Sequence, residues 1–191
     1  MTPRGRGRPS RGAEAVSPVA ILSEALNILD GEGLERLTMR ALATRLGINP
    51  MTIYYHFNDR DGLIKAMADK TYADVSVPAQ GDARTRIIGL LNAYRAKVVR
   101  HPALTLAIFN RPAIFPDHAA RITADLAGLL GELDLSPARV TLWVHILVDY
   151  THGAALAVAM NGEHYSGEGS SAEELDESYR QGVCELLHSL Q

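Results

Sequence analysis

Residues 37–57 read Leu37-Thr38-Met39-Arg40-Ala41-Leu42-Ala43-Thr44-Arg45-Leu46-Gly47-Ile48-Asn49-Pro50-Met51-Thr52-Ile53-Tyr54-Tyr55-His56-Phe57, and this stretch decides the fold. Thr38 has the side chain of a helix N-cap and opens a short helix carrying Leu42 and Leu46. Ala43 is small enough to let two helices cross closely, and Gly47 can take the left-handed conformation that a tight turn needs. Asn49-Pro50 restarts the chain as a second helix running to about Phe57. Ile48, Ile53 and Phe57 face inward and pin that helix to the one before it. The outer face of such a pair is a convex rod that fits the major groove of B-DNA.

Working outward, Ser17-Pro18 is a cap-plus-proline start, followed by Ile21, Leu22, Ala25, Leu26 and Leu29 at helical spacing and ended by Gly31 and Gly33. After the quoted stretch, Asn58-Asp59 makes a brief turn and a fourth helix runs from about Arg60 to Val75. Val77-Pro78 with Gln80-Gly81 marks a joint. Beyond it, Asp82 caps a helix bearing Ile87, Leu91, Tyr94 and Val98. A short apolar helix from about Pro102 to Phe109 follows, then a proline-punctuated stretch to Pro116. Asp117 reads as the cap of a helix with Ile122, Leu126, Leu129, Leu130 and Leu133 on one face. Ser136-Pro137 opens the longest helix, to about Met160, and residues 161–171 read as a mobile loop. Ser171 with Glu174 makes a capping box for a last helix striped by Leu175, Tyr179, Val183, Leu186 and Leu190. No segment alternates with a strand period, so the expected fold is all-α. The expected divisions are a flexible basic arm over 1–14, a helix-turn-helix domain over 15–75 and a helical body over 76–191.

The chain has 191 residues, 47% of them hydrophobic, and a formal net charge of −3. Overall charge therefore does not announce a nucleic-acid partner, but its distribution is uneven. Arg4, Arg6, Arg8 and Arg11 stand in the first twelve residues with no acid among them. A lone cysteine, Cys184, excludes an intramolecular disulfide and a cysteine zinc cluster. The longest purely apolar runs fall far short of the roughly 20 residues a bilayer span needs. The N-terminus has charge without a following apolar run, unlike a signal peptide. No membrane partner and a cytoplasmic location are the expectation.

The motif resembles the tetracycline-repressor (TetR) family of bacterial regulators. The likeness is carried by Leu37-Thr38-x-Arg40, Leu42-Ala43, Leu46-Gly47-Ile48, Thr52-Ile53-Tyr54-Tyr55-His56-Phe57 and Arg60-Asp61-x-Leu63, and it covers about residues 17–75. It implies a DNA-reading second helix. Asn49, Pro50 and Met51 would face base edges, with Pro50 and Met51 touching thymine methyls. Tyr54 would lie across the groove, or alternatively pack in the core. Thr38, Thr52, Tyr55 and His56 have donors for phosphate oxygens, with a capping role for His56 as the alternative. Arg40 would reach a guanine or a phosphate, and Arg60 resembles the family's basic phosphate clamp. Pro50-Met51 departs from the hydrogen-bonding pairs common in relatives. Arg6 and Arg8, in Arg6-Gly7-Arg8-Pro9, resemble the AT-hook core that lies in A·T-rich minor grooves, or belong to a tail that adds general phosphate attraction.

The helix from Ser136 to Met160 is apolar almost all round, and Gly153, Ala154 and Ala157 would let a partner helix approach closely. With the last helix it resembles the pair that forms a four-helix bundle across the dimer axis in TetR relatives. A homodimer implies a palindromic operator. His145, Asp149 and His152 make a polar stripe at i, i+4 and i+7. Three roles stay open for it: metal ligation, solvent or bundle hydrogen bonding, or a place in a small-molecule pocket beside Trp143. Tyr94, Phe109 and Phe115 join them as candidate lining residues for an unidentified effector, by residue type and position. No metal and no cofactor are expected. No phosphate loop, nucleophile elbow or cysteine nucleophile context appears, so the leading expectation is a repressor released by its effector rather than an enzyme. Two other readings stand beside it: an architectural DNA binder without a ligand, and a helical enzyme using His145, Asp149 and His152.

Overall fold

The computed structural model of the chain describes residues 16–111, 113–161 and 172–190. Among the described residues every regular element is helical: α1 (Pro18–Glu32), a single 3-10 turn (Leu34–Arg36), α2 (Met39–Leu46), α3 (Pro50–Phe57), α4 (Arg60–Tyr72), α5 (Ala83–Arg100), α6 (Pro102–Phe109), α7 (Asp117–Gly131), α8 (Pro137–Asn161) and α9 (Ala172–His188). The all-α architecture with an N-terminal helix-turn-helix is as expected. The arm with Arg6 and Arg8, the loop read over 161–171 from residue 162 on, and Ser171 of the capping box lie outside the described residues.

Local signals start and stop these helices. Ser17 Oγ accepts from the Ala20 N–H at 3.2 Å, Thr38 Oγ1 from Ala41 at 3.1 Å, and Asn49 Oδ1 from Met51 at 2.9 Å. Asp59 and Asp82 do the same for Gly62 and Thr85, at 2.7 and 2.8 Å. Each satisfies a backbone donor that the helix itself leaves orphaned. Gly47 sits at φ 65°, ψ 29°, the left-handed cap that ends α2, and the Ile48 N–H returns to the Ala43 carbonyl at 3.0 Å.

Several elements differ from the sequence expectation. The 3-10 turn at Leu34–Arg36 was not foreseen, because three residues carry no periodicity. α4 stops at Tyr72, three residues before Val75. Asp117 is not a cap: Pro116 holds that position, and Asp117 is the first helical residue, its carboxylate accepting from Lys65 Nζ at 2.7 Å. On α9, Leu187 is buried along with Tyr179 and Val183, whereas Leu186 is only partly covered; Leu190, also buried, lies two residues past the end of the helix. In α8 no long run is purely apolar, yet the 23 residues Pro137–Ala159 reach a mean hydropathy of 1.2, long and apolar enough by composition to cross a membrane. Counting consecutive apolar residues misses this, since isolated polar groups interrupt the run without lowering the average much.

One contiguous core holds the molecule together. Ile21, Ala25, Ile28 and Leu29 of α1 pack with Leu42, Ile53, Leu63, Ile64 and Met67, all at most 1% exposed. α5 packs on α7 and α8 through Ile87, Leu90, Leu91 and Val98. α1 touches α6, and α4 touches α6 and α7, so the first four helices rest directly on the rest of the molecule.

Candidate nucleic-acid interface and ligand cavity

α3 is anchored by Ile53 and Phe57, which are buried and one turn apart. The opposite face carries Met51, Tyr54 and Tyr55, exposed by 67%, 40% and 83%. Large apolar and aromatic surface left in water on a short, well-packed helix calls for a partner. Tyr54 is thus not a core residue. Tyr55 and His56 meet edge-on, with ring centroids 5.2 Å apart, and His56 is exposed and caps nothing. Asn49 is exposed, and its side-chain oxygen is spent on the Met51 N–H, leaving the amide nitrogen outward. Thr38 likewise uses its oxygen as a cap and keeps its hydroxyl proton. Pro50 and Thr52 are half-buried flanks.

Arg40 is exposed and makes no ion pair among the described residues, a free cation beside α3. Arg36, in the 3-10 turn, is equally exposed and unpaired, and it was missed because nothing in the sequence marks that turn. Arg60 is placed differently from the expectation of a phosphate clamp. It is half-buried and donates through Nη2 to the Leu34 carbonyl, with Nε covered and unpartnered. Its guanidinium ties α4 to the 3-10 turn. Arg45 is also spent, on Glu24 and Glu32.

Behind this unit, a chain of contacts leads from α1 and α4 to α6 and α7. Arg111 Nε donates to Asp61 at 2.9 Å, Lys65 bridges Asp69 and Asp117 at 3.0 and 2.7 Å, the His118 N–H meets Asp69 at 3.0 Å, and His101 meets Asp30 at 2.7 Å. Asp69 is held below the usual carboxylate range by its bonds to His118 and Lys65, which outweigh its burial. Such partly exposed pairs are each worth little, but together they fix a register between the two halves.

A cavity of about 110 Å³ opens where α4 to α8 converge. Tyr72, at the end of α4, forms one wall and Tyr94 of α5 the next, with ring centroids 5.4 Å apart. Tyr94 Oη and His152 Nε2 lie 2.6 Å apart, and Phe109 meets the His152 ring edge-on at 4.8 Å. Phe109 and Phe115 line the cavity while half or more exposed, so they form its outer wall. Burial holds the His152 ring below its ordinary range, only partly opposed by Asp149, and burial pushes the Tyr94 hydroxyl well up. Both are therefore neutral near pH 7, and the Tyr94 hydroxyl and Nε2 share one hydrogen bond whose donor is set by the His152 tautomer. Among the described residues no Asp, Glu, Lys or Arg lines the space.

Of the candidate pocket residues, the structure brings Tyr94, Phe109, Phe115 and His152 together. Trp143, His145 and Asp149 lie elsewhere: Trp143 packs half-buried against the core, and the other two are exposed. The stripe therefore divides, because a helix face only partly overlaps a cavity wall. Among the described residues no group of three His, Cys, Asp or Glu is placed to hold a metal ion. Sequence reasoning missed Tyr72, Thr105, Ile122, Thr123 and Val148. Tyr72 in particular was assigned to the other half, and only folding carries it into the cavity.

Comparison with known proteins follows the same lines. Residues 21–67 match the family model described as bacterial regulatory proteins, tetR family. An HTH-type transcriptional regulator of Saccharopolyspora erythraea is 28% identical over 116 residues, 60% of this chain and 49% of that protein. The HTH-type transcriptional repressor DrrR1 of Streptomyces coeruleorubidus is 28% identical over 152 residues, 78% of this chain and 56% of that protein. The chain thus spans about half the length of the curated relatives it matches. The crystal structure of BioQ with its natural double-stranded DNA operator superimposes with a TM-score of 0.72 at 23% identity, over 90% of this chain and 96% of BioQ, a likeness of fold.

Proposed function

We propose that the chain is a sequence-specific transcriptional repressor of the tetR family of bacterial regulatory proteins, whose model residues 21–67 match, and that it binds double-stranded DNA as a homodimer and is released by a small-molecule effector. The observation that carries this reading is the exposed Met51, Tyr54 and Tyr55 face of a helix whose other side is pinned by Ile53 and Phe57. In this reading Asn49, Pro50 and Met51 meet base edges, while Thr38, Arg40, Thr52, Tyr55, His56 and the newly found Arg36 meet phosphates. Arg6 and Arg8 add minor-groove or phosphate contacts from the arm. Residues 15–75 read DNA and 76–191 bind effector and partner, in the cytoplasm where the operator is.

Dimerisation is supported by α8. Only 28% of its Pro137–Ala159 stretch is buried within one chain, and Leu142 is 54% exposed. An apolar helix left so bare needs cover, and a second copy supplies it symmetrically.

The effector cavity has uncharged walls, so it suits a neutral, largely apolar molecule that hydrogen-bonds to the Tyr94–His152 pair. Tyr72 makes the cavity consequential for DNA. An occupant that displaces this ring moves the end of α4, whose other end leads directly to α3 through Asn58 and Asp59. Rotation of the two reading helices away from operator spacing is a population shift between two arrangements of the same packed elements.

The test is selection from a randomised duplex pool across a salt series, with sedimentation to fix the oligomeric state. A palindrome is expected, with affinity falling about 10³- to 10⁵-fold between about 50 and 200 mM salt for six to ten phosphate contacts. Enrichment of A·T-rich DNA without symmetry would replace this reading by an architectural one, and no enrichment by the folded protein would remove DNA binding altogether.

A further inference from the structure

On the far side of α8 from the effector cavity, α5, α8 and α9 enclose a second hollow of about 410 Å³ that shares no lining residue with the first. Its walls are Tyr150, Ala154, Val158, Leu175 and Tyr179, with Arg95 reaching in from α5. Arg95 is the one Arg or Lys among the buried residues described, only 6% exposed. Its Nη1 donates to Asp176, and its guanidinium carbon stacks 4.7 Å from the Tyr179 ring centre. Nε and Nη2 are covered and have no hydrogen-bond partner. These two nitrogens form the side-on fork of a guanidinium, the edge that takes both oxygens of one carboxylate. A buried guanidinium with that edge unsatisfied is costly, even with Asp176 as its counter-ion, and an anion that reached the edge would relieve that cost.

The other walls do not supply the missing acceptor. Thr151 donates to the Leu147 carbonyl at 2.7 Å, so its oxygen accepts the Tyr179 hydroxyl at 2.7 Å, and the Tyr179 oxygen, although still able to accept, makes no hydrogen bond to Nε or Nη2 of Arg95. Tyr150 stacks on Tyr179 with ring centroids 5.6 Å apart, a fit that Gly182 permits, since a Cβ there would overlap the Tyr150 hydroxyl. On its other side, Arg95 borders a groove of about 450 Å³ that adds Arg100 and Arg180 and a single acid, Asp176, to the local charge. Arg180 is paired to Glu177, and Asp176 is more than half exposed.

We propose that this hollow is a second ligand site, taking a small carboxylate with an apolar or aromatic body: the Arg95 guanidinium turns its covered Nε–Nη2 edge to the hollow to receive the carboxylate, and the body lies along Tyr150, Tyr179, Val158 and Leu175. The ligand class is opposite in charge preference to that of the uncharged effector cavity. Because Asp176 sits on α9 and competes for the same guanidinium, an occupant also changes how α9 is tied to α5.

The experiment is calorimetric titration of the full chain with 2-naphthoate and, as its uncharged match, 2-naphthamide. Naphthoate is expected to bind and the amide to bind at least about tenfold more weakly. Arg95→Met, which keeps the stem and removes fork and charge, should weaken naphthoate by about tenfold or more. Asp176→Asn should tighten it by removing the competing carboxylate. Ser178→Phe, at an exposed rim position, narrows the hollow with Arg95 intact and should also weaken naphthoate, which keeps the idea testable should Arg95→Met not fold. Equal affinity for acid and amide, no binding of either, or undiminished naphthoate binding in Arg95→Met or Ser178→Phe would overturn the proposal.

Discussion

The two halves of this molecule bury apolar surface in the same way but expose different kinds of surface. In α1 to α4, most apolar side chains have an inward job, and apart from Val19 on α1 the large apolar and aromatic side chains left outside are Met51, Tyr54 and Tyr55 of α3, with His56 beside them and the unpaired Arg36 and Arg40 on the preceding elements. In α5 to α9 the helices are long and apolar on several faces, so the surplus is spent on an inner cavity, a hollow around Arg95 and the bare side of α8. The small half presents its uncommitted side chains outward on one short helix and its flanks, and the large half keeps much of its uncommitted space inside. The lesson is that an interface on a short helix needs only a few fixed side chains, whereas a ligand site needs walls from several helices at once.

The largest expected effects test whether the halves are energetically one body. Ile53→Ala and Leu147→Ala, both at fully buried positions, should each cost about 2–5 kcal/mol. Because the core is continuous, urea unfolding should remain a single transition in both variants. Two separate transitions would break the comparison into independent domains.

Next come changes confined to the outward face. Tyr55→Ala and Arg40→Ala should alter stability by less than about 0.5 kcal/mol while weakening operator binding by about tenfold or more. A matching loss of stability would show that these side chains hold the fold rather than DNA.

Within the cavity, Tyr94→Phe removes the hydrogen bond to His152 and should cost about 1 kcal/mol of stability. It should leave operator affinity without effector unchanged, while raising the effector concentration needed for release. Unchanged release would sharpen the picture by moving the effector elsewhere.

The smallest effect concerns pH. The folded-state pKa of His152 lies below 6.5 because of burial. The unfolded chain takes up the proton first, so stability contributed at this site is whole above pH 6.5 and falls as pH drops below it. It levels off once the folded form is protonated too. His152→Phe should flatten that part of the melting-temperature profile, read by calorimetry at stepped pH, and an unaltered slope would assign the acid sensitivity to other groups.

Much of this was legible along the chain wherever a residue acts on its near neighbours. The caps at Ser17, Thr38 and Asp82, the helix start at Asn49 and the turn at Gly47 follow from hydrogen bonds and φ preferences that span four residues at most, whereas Asp59, read as part of a turn, is a cap as well. The inward stripe of α3, Ile53 and Phe57, follows from the helical period. Where the reading slipped, two signals competed at one place. Pro116 and Asp117 both suit a helix start, and Leu186 and Leu187 are adjacent points on one stripe.

The sequence by itself determined the order of the α-helices, most of their starts, the helix-turn-helix and the inward stripe of α3, since these are set by local sterics and periodicity. Only the tertiary structure decided that Arg60 turns in to Leu34, that Tyr72 crosses into the cavity of the other half, that His152 leaves the company of His145 and Asp149, and that Arg95 is buried with an empty edge. Those outcomes depend on contacts between residues tens of positions apart, for which spacing along one helix carries no information.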